Sequence, residues 1–308
     1  MSEAVFRVPS TAENRIRAVQ SRIRGLIHLG VWDIPEMRLD SWLRRFSGES
    51  EQFMACCLLD SLIYRSEKQL APALASLMRG SVRWTLGTTL VPGDADTDFV
   101  DLLRRKPKIP VRLVPVIRND QPPTKSGPLI LRMAKRTLGI HDDWMLWPWQ
   151  AEEALREGKI RSVVLIDDFL GSGSQVGKFL KAWNLSESLS NVEMTFCYAP
   201  IIAHEVGKEN VLTEFPRLKV VSAETFCRKH AFFSEENWRR MTQGAISGEC
   251  ARSFFLKWSE EHFPSSRTVP VQGFGNLELT IGFSHSTPNN TLPIYWQSTS
   301  ASEPLLER

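Results

Sequence analysis

The chain has few cysteines and little net charge. Its five cysteines are an odd number, scattered along 308 residues, which argues against a disulfide framework. Cys227 and His230 have ligand-like spacing, but no second pair in the sequence completes a zinc site. A net charge of +3 does not by itself imply nucleic-acid binding. We therefore expect reduced, mostly buried thiols and no zinc.

Long apolar runs are also missing. The apolar run over residues 53–59 ends at Asp60 and is much shorter than the roughly 20 residues that a membrane-spanning helix needs. The N-terminus lacks the basic-then-apolar order of a signal peptide. A hydrophobic content of 42% is nevertheless enough for a real core. These features favour a cytoplasmic protein that does not bind membranes.

Helical periodicity dominates the first part of the chain. Ile16, Val19 and Ile23 form an apolar stripe with arginines between them, and the pattern repeats over residues 50–78. The arginines are interpreted as the solvated face of amphipathic helices, with docking of a partner as the alternative. Residues 1–80 are therefore predicted to be a helical N-terminal extension.

Short apolar segments and helical segments alternate from Arg83 onward. The expected strands lie near residues 83–90, 109–117, 163–168, 193–200 and 217–222. This alternation is typical of a doubly wound, mainly parallel α/β sheet.

The part of the chain after Glu224 becomes helical again, and a further strand is predicted over residues 275–283. We expect residues 225–295 to cover the sheet as a helical hood within an α/β domain of residues 81–300. Residues 301–308 are expected to be a flexible tail.

Residues 163–175 are the most informative segment, because a buried strand there ends in two acids and a loop of small residues. Neighbouring acids such as Asp167 and Asp168 can converge on vicinal hydroxyls or on a hydrated divalent cation where a strand becomes a loop. Residues 171–175 offer backbone N–H groups without bulk, and an amphipathic helix follows. The N-terminus of such a helix attracts phosphate.

Other interpretations of this segment were weighed. An ordinary strand-turn-helix junction, with aspartates as helix caps, remains the alternative. A P-loop would need a lysine followed by serine or threonine after the glycines, and a dinucleotide fingerprint would place its acid after the glycines. Residues 171–173 also lack the five-residue nucleophile elbow of serine hydrolases. These last three interpretations are rejected.

The segment resembles the phosphoribosyl-pyrophosphate (PRPP) loop of type I phosphoribosyltransferases. The resemblance implies that Asp167 and Asp168 hold the ribose 2′ and 3′ hydroxyls and a Mg²⁺ ion. It also implies a 5′-phosphate cradle made of Gly171, Ser172, Gly173, Ser174 and Gln175. Many family members have an acid or a threonine at the position of Gly171, where an acid can assist proton transfer at the base. Glycine cannot do so, which puts base-assisted transfer in doubt.

A second loop fits the same resemblance. The β-rich residues 109–117 are followed by a polar turn and then by a helix that carries cations. In the family, the loop after the preceding strand wraps the pyrophosphate, and Lys125, Ser126 and Gly127 match that role in type and place. A pyrophosphate carries several negative charges, and an ammonium group together with exposed N–H groups is a suitable counterpart for them. A solvated surface loop is the alternative.

The C-terminal residues 284–296 contain the run Thr-Pro-Asn-Asn-Thr-Leu-Pro and end in tryptophan. They resemble a divergent branch of phosphoribosyltransferase-like proteins from bacterial conflict and anti-phage loci, including retrons. That likeness implies a defence partner protein or a nucleoprotein of reverse transcriptase and noncoding RNA (ncRNA). Asn289 and Asn290 would read the edges of a base through their amides. A turn between prolines is the alternative.

A tryptophan-rich cluster occupies residues 144–149. Indoles stack well on nucleobases. Large aromatic residues beside a proline at the edge of an α/β sheet are, however, more often packing residues. Packing is the interpretation that we favour for this cluster.

Two functional hypotheses follow from the sequence. The first is a phosphoribosyltransferase in which Lys125 and Mg²⁺ offset charge on the leaving pyrophosphate while Asp167 and Asp168 hold the ribose. The second is a catalytically inactive subunit that senses a nucleotide or docks a partner. The presence of Gly171 favours the second hypothesis, and both hypotheses retain PRPP or a nucleotide as ligand.

Overall fold

The computed structural model describes residues 6–90, 99–263, 269–299 and 302–308. The helices are, in chain order, α1 (Ala12–His28), α2 (Glu36–Leu43), α3 (Glu49–Ser61), α4 (Glu67–Leu77), α5 (Arg83–Leu90), α6 (Phe99–Leu103), α7 (Ser126–Leu138), α8 (Pro148–Arg156), α9 (Ser174–Ala182), α10 (Leu185–Ser190), α11 (Glu205–Glu214), α12 (Glu235–Thr242) and α13 (Gly248–His262). The strands are β1 (Ile63–Arg65), β2 (Val111–Pro115), β3 (Ser162–Leu170), β4 (Thr195–His204), β5 (Lys219–Val220), β6 (Glu224–Phe226) and β7 (Ile281–Phe283).

Two compact units divide the chain. One consists of Met1–Glu67 together with Cys227–Arg308, and the other of Lys68–Phe226. Within the described ranges, no helix combines the length and apolar character that a membrane crossing requires.

The unit Lys68–Phe226 is built on a parallel sheet. Its strands follow the order β2-β3-β4-β5, and β6 pairs with β4 farther along that strand. Every pairing in the sheet is parallel, with Pro115 opposite Ile166 and Asp167 opposite Pro200. The residues of β3 are buried except for partly exposed Phe169, as expected for a parallel strand covered on both faces. The predicted α/β class with parallel strands is confirmed.

The predicted strand over residues 83–90 is wrong, because this segment forms α5. It follows directly on the π-helical turn Met78–Val82, which continues from α4. A short apolar run does not distinguish a strand from a buried helix by periodicity alone, which explains the error. The strand predicted over residues 275–283 is reduced to β7, since a 3₁₀ turn occupies Phe274–Asn276.

A large apolar core joins the two ends of the chain within their shared unit. Residues of α1, α2 and α3 pack in the same cluster as residues of α12, α13 and the C-terminal segment. Strands β1 and β7 pair in parallel within this unit. Residues 12–61 therefore share a core with the segment that the sequence assigned to a hood. The position of a hood over a bound base stays a prediction.

The C-terminal residues 302–308 differ from the flexible tail that we expected. Leu305 and Leu306 are buried, and the Leu306 backbone N–H donates a 2.8 Å hydrogen bond to the Tyr295 carbonyl. A Cβ on Gly282 would lie 2.5 Å from Leu306 Cδ1, so the glycine makes room for this leucine. The tail is thus part of the core, because two leucines fill space that a polar tail could not.

Candidate functional site

The two candidate acids lie inside β3, which continues to Leu170. The sequence interpretation ended the strand at residue 168 and expected both carboxylates to converge in a loop. Phe169 and Leu170 instead pair with Ile202 and Ala203 of β4, so the backbone stays extended past the acids. Asp167 is completely buried, and Asp168 retains 7% of its exposure. The two acids therefore have unequal access to a ligand.

Asp167 is held by hydrogen bonds within the unit. The Tyr198 hydroxyl donates to Asp167 Oδ2 over 3.1 Å, and the Asp168 backbone N–H donates to Asp167 Oδ1 over 3.0 Å. Burial raises the pKa of the Asp167 carboxyl well above its usual value, and the neighbouring Asp168 charge raises it further. Burial, followed by the Asp167 charge, also raises the pKa of Tyr198. Because of this environment, Asp167 favours its protonated, neutral form.

Asp168 is the better placed of the two acids for contact with a ligand. The Phe169 backbone N–H donates to Asp168 Oδ1 over 2.9 Å, which fixes the orientation of the carboxylate. Among the described residues, no group of three or more His, Cys, Asp or Glu side chains is arranged to hold a metal ion. Mg²⁺ commonly takes one or two carboxylates, several waters and substrate oxygens. The residues would therefore fit a Mg²⁺ ion that Asp168 shares with the substrate, and completely buried Asp167 is the less accessible ligand.

The loop after β3 ends in a glycine that no other residue could replace without strain. Gly173 has φ +89°, and a Cβ there would lie 2.9 Å from Val211 Cγ2. It is the N-cap of α9, and no described side chain caps this helix. The backbone N–H groups of the first turn are thus not used by a capping side chain, as an anion site requires.

Helix α11 supports this loop from the side. A Cβ on Gly207 would lie 2.1 Å from the Gly171 carbonyl oxygen, so only glycine permits the observed approach of the helix to the loop. Asn210 Nδ2 donates to the Ser172 carbonyl oxygen over 3.0 Å. Together these contacts fix the backbone of residues 171–173 before any ligand binds.

The second predicted loop lies at the same edge of the sheet. Strands β2 and β3 are parallel neighbours, so the chain that follows each strand leaves from the same edge. Lys125 is exposed and precedes α7 as its N-cap, again without a side-chain cap among the described residues. A Cβ on Gly127 would lie 2.6 Å from the Val116 carbonyl oxygen, so the start of α7 packs tightly against the chain after β2. The structure thus brings residues 125–127, 171–175 and Asp168 to one edge.

Asn289 and Asn290 belong to the other compact unit. Asn290 is 5% exposed, and its Nδ2 donates to the Phe274 carbonyl oxygen over 2.7 Å. The Phe274 backbone N–H in turn donates to the Asn289 carbonyl oxygen over 2.7 Å. The Asn290 amide thus contributes to a turn, and Asn289 is the more accessible of the two. Recognition of a base by this pair stays a prediction.

Three residues that support the site were missed by the sequence interpretation. Tyr198 occurs in an apolar strand, Gly207 in a helix and Asn210 one turn later, and none belongs to a recognisable motif. The position of Gly207 three residues after the end of β4 is a weak signal for close packing at the strand edge. The partnership of Tyr198 with Asp167 spans 31 residues and carries no local signal.

The raised pKa of Asp167 predicts how stability depends on pH. Between its unfolded and folded pKa values the native state binds more protons than the unfolded state, so the free energy of unfolding falls as pH rises. Asn at this position cannot ionise. We therefore expect the stability difference between Asp167→Asn and wild type to move in favour of the variant between about pH 5 and about pH 8, measured by urea denaturation.

An exposed acid provides the control for this measurement. The Arg118 side-chain hydrogen bond lowers the pKa of Asp120, so this carboxyl is ionised in both the folded and the unfolded state above about pH 5, and the stability difference between Asp120→Asn and wild type should stay constant across the same range. A difference between Asp167→Asn and wild type that stays constant across this range would contradict a neutral, buried Asp167.

Comparison with known proteins identifies the family of this chain. The model of a family described as PRTase-CE matches residues 39–308, which is most of the chain. Comparisons with curated proteins and with solved structures gave no match. The family match includes β2, β3 and both candidate loops. The chain therefore belongs to the PRTase-CE family, a phosphoribosyltransferase-like family.

Proposed function

We propose that this protein binds PRPP or a related ribose phosphate with Mg²⁺ and acts as an effector of a bacterial anti-phage defence system. In this proposal it transfers or cleaves a ribosyl group on a nucleotide. The observation that carries the proposal is the position of Asp168 and two uncapped helix N-termini at one edge of a parallel sheet. Parallel α/β sheets bind their ligands at this edge.

Each part of the ligand has a counterpart in the site. The first turn of α9 and residues 171–175 would receive the 5′-phosphate, because the first-turn N–H groups of a helix point out of its N-terminus, where the helix dipole favours negative charge. Asp168 would accept hydrogen bonds from the ribose hydroxyls. Lys125 and the N–H groups of Ser126 and Gly127 would hold the pyrophosphate.

The reaction would break the bond between C1 of the ribose and the pyrophosphate oxygen. Positive charge then develops on the ribose ring, and the bonding electrons leave with the pyrophosphate. Bound Mg²⁺ supplies charge neutralisation at the leaving group. Lys125 contributes a second positive charge there, and Asp168 keeps the ring oriented for attack by the acceptor.

The defence role is supported by the resemblance of residues 284–296 to proteins of anti-phage loci. A partner protein, or a nucleoprotein of reverse transcriptase and ncRNA, belongs to the same proposal. Asp167→Ala combined with Asp168→Ala should remove protection when the gene is expressed with its locus in phage-challenged cells. Unchanged protection would contradict a defence role for the ribose-phosphate site.

A catalytically inactive sensor is the second candidate function. Gly171 supports it, because glycine stands where many type I phosphoribosyltransferases have an acid or a threonine, and glycine cannot assist proton transfer at the base as an acid can. The neutral, buried Asp167 supports it as well, since only one carboxylate is left to act on the ligand. In this case the site would bind a nucleotide and signal to a partner without turnover.

One experiment separates the two candidates. The purified protein is incubated with PRPP and Mg²⁺, alone and with a panel of bases and nucleotides, while pyrophosphate release is measured and binding is followed by calorimetry. An enzyme releases pyrophosphate with at least one acceptor, whereas a sensor binds PRPP without release. The absence of both binding and release would overturn the proposed site.

A further inference from the structure

Two tryptophans of the cluster at residues 144–149 are not packing residues. Trp144 is buried as expected, but Trp147 is 42% exposed and Trp149 is 49% exposed. The Trp147 and Trp149 rings stack with centroids 5.2 Å apart and planes only 5° from parallel. Trp149 in turn meets Trp183 at 5.9 Å. We call these three residues the indole stack. Because Trp147 and Trp149 are so exposed, packing in a core does not account for their presence here.

The backbone on both sides of Trp147 is fixed. The Leu146 N–H donates to the Leu113 carbonyl oxygen over 3.0 Å, so this segment lies along the free edge of β2. The Trp147 N–H donates to Gln150 Oε1 over 2.9 Å, and Pro148 begins α8 directly afterwards. Such restraints keep the indole in place before a ligand arrives, which lowers the entropic cost of binding.

Trp147 lines an open cavity of about 220 Å³ whose walls are mostly apolar. Pro128, Leu131 and Met145 form part of the wall, and Arg132 of α7 stands at the same cavity. The pockets that enclose whole drug-sized molecules have roughly 300–1,000 Å³. This cavity therefore suits one planar group, with the rest of the ligand outside.

Positive charge lies beside the cavity. Arg132, Lys135 and Arg136 are exposed on α7, and Arg136 is one turn from Arg132, about 6 Å along the helix axis. Lys135 pairs with Asp142. In the described part of the chain, no acidic side chain pairs with Arg132 or with Arg136. Two guanidinium groups are thus available to anions next to an aromatic surface.

We propose that the indole stack and the basic face of α7 bind single-stranded nucleic acid. One base would enter the cavity against Trp147 and extend the stack, while Arg132 and Arg136 would contact successive phosphates. Aromatic stacking and a cationic track are the two components of sequence-tolerant single-strand binding. The base of a duplex is already stacked on its neighbours and would not reach the cavity. This surface begins at Pro128, next to residues 125–127 of the proposed ribose-phosphate site, but it uses other side chains and does not depend on that function.

The test uses the full chain and a fluorescein-labelled oligothymidylate of about 12 nucleotides, within the site sizes of single-strand binding domains. Polarisation should rise saturably at low salt. Trp147→Ala should weaken binding about 5- to 150-fold, as expected for the loss of one stacked base. Arg132→Ala should also weaken binding and reduce its salt dependence by about one phosphate contact.

Trp84→Ala is the matched control, because Trp84 is 85% exposed in the same compact unit but lies on α5. It should leave binding unchanged, and all variants should keep the thermal unfolding midpoint of the wild type. Binding by Trp147→Ala that equals that of the wild type would overturn the proposal. Equal affinity for duplex DNA, equally strong competition by thymidine monophosphate, or no saturable binding would overturn it as well.

Discussion

Asp168→Asn is expected to weaken PRPP binding about 100-fold, because a hydrogen bond to a charged group contributes roughly 1.5–3 kcal/mol. The substitution keeps the oxygen that accepts the Phe169 N–H, removes the negative charge and replaces the second acceptor oxygen with an NH₂ donor. The stability of the fold should change little, since the charge that disappears lies beside the buried Asp167. Isothermal titration with PRPP and Mg²⁺ measures the effect directly.

Asp167→Asn is the matched control for this variant. It is a neighbouring acid-to-amide change, but the side chain is buried, favours its neutral form and is bonded to Tyr198. We expect it to weaken PRPP binding much less than Asp168→Asn does. Equal losses in the two variants, or a larger loss for Asp167→Asn, would show that the acids do not divide their roles as the burial indicates.

Gly207→Ala is expected to lower the free energy of unfolding by about 2 kcal/mol and to impair PRPP binding. The new methyl group would lie 2.1 Å from the Gly171 carbonyl oxygen, and two backbones must move apart to admit it. Overpacking of this kind typically costs about 1–3 kcal/mol, of which the higher helix propensity of alanine returns up to about 1 kcal/mol. The displaced backbone belongs to the loop that would bind the 5′-phosphate.

Gly25→Ala serves as the control for this prediction. Gly25 lies inside α1, and a Cβ there meets no atom within 4 Å. The substitution should therefore stabilise the protein by roughly 0.5–1 kcal/mol. Urea denaturation of both variants, with a PRPP titration of each, tests the pair. A Gly207→Ala protein with wild-type stability and PRPP affinity would contradict the tight contact between α11 and the loop.

The sequence was sufficient to predict the parallel strand and the loop at residues 163–175. Four consecutive apolar residues, a loop of glycine and serine, and a helical apolar stripe each have a local signature. The unequal burial of Asp167 and Asp168 could not be predicted in this way. It depends on how far β3 continues beside β4, and on a tyrosine of that neighbouring strand.

Other features also depended on contacts distant in sequence. Leu305 and Leu306 looked like part of a frayed end, but their burial depends on the space beside Gly282. Trp147 and Trp149 have the same local composition as buried Trp144, and only the edge position of the chain beside β2 exposes them. Periodicity reports which face of an element is apolar, whereas the partner that covers this face is set by the fold.

The central claim is that a ribose phosphate binds where β2 and β3 end. Hydrogen–deuterium exchange of the wild-type protein, measured with and without PRPP and Mg²⁺, tests it without any substitution. The account predicts slower exchange for the backbone amides of residues 125–127 and 171–176 when PRPP is present. Unchanged exchange in both segments, under conditions where calorimetry shows that PRPP is bound, would contradict it.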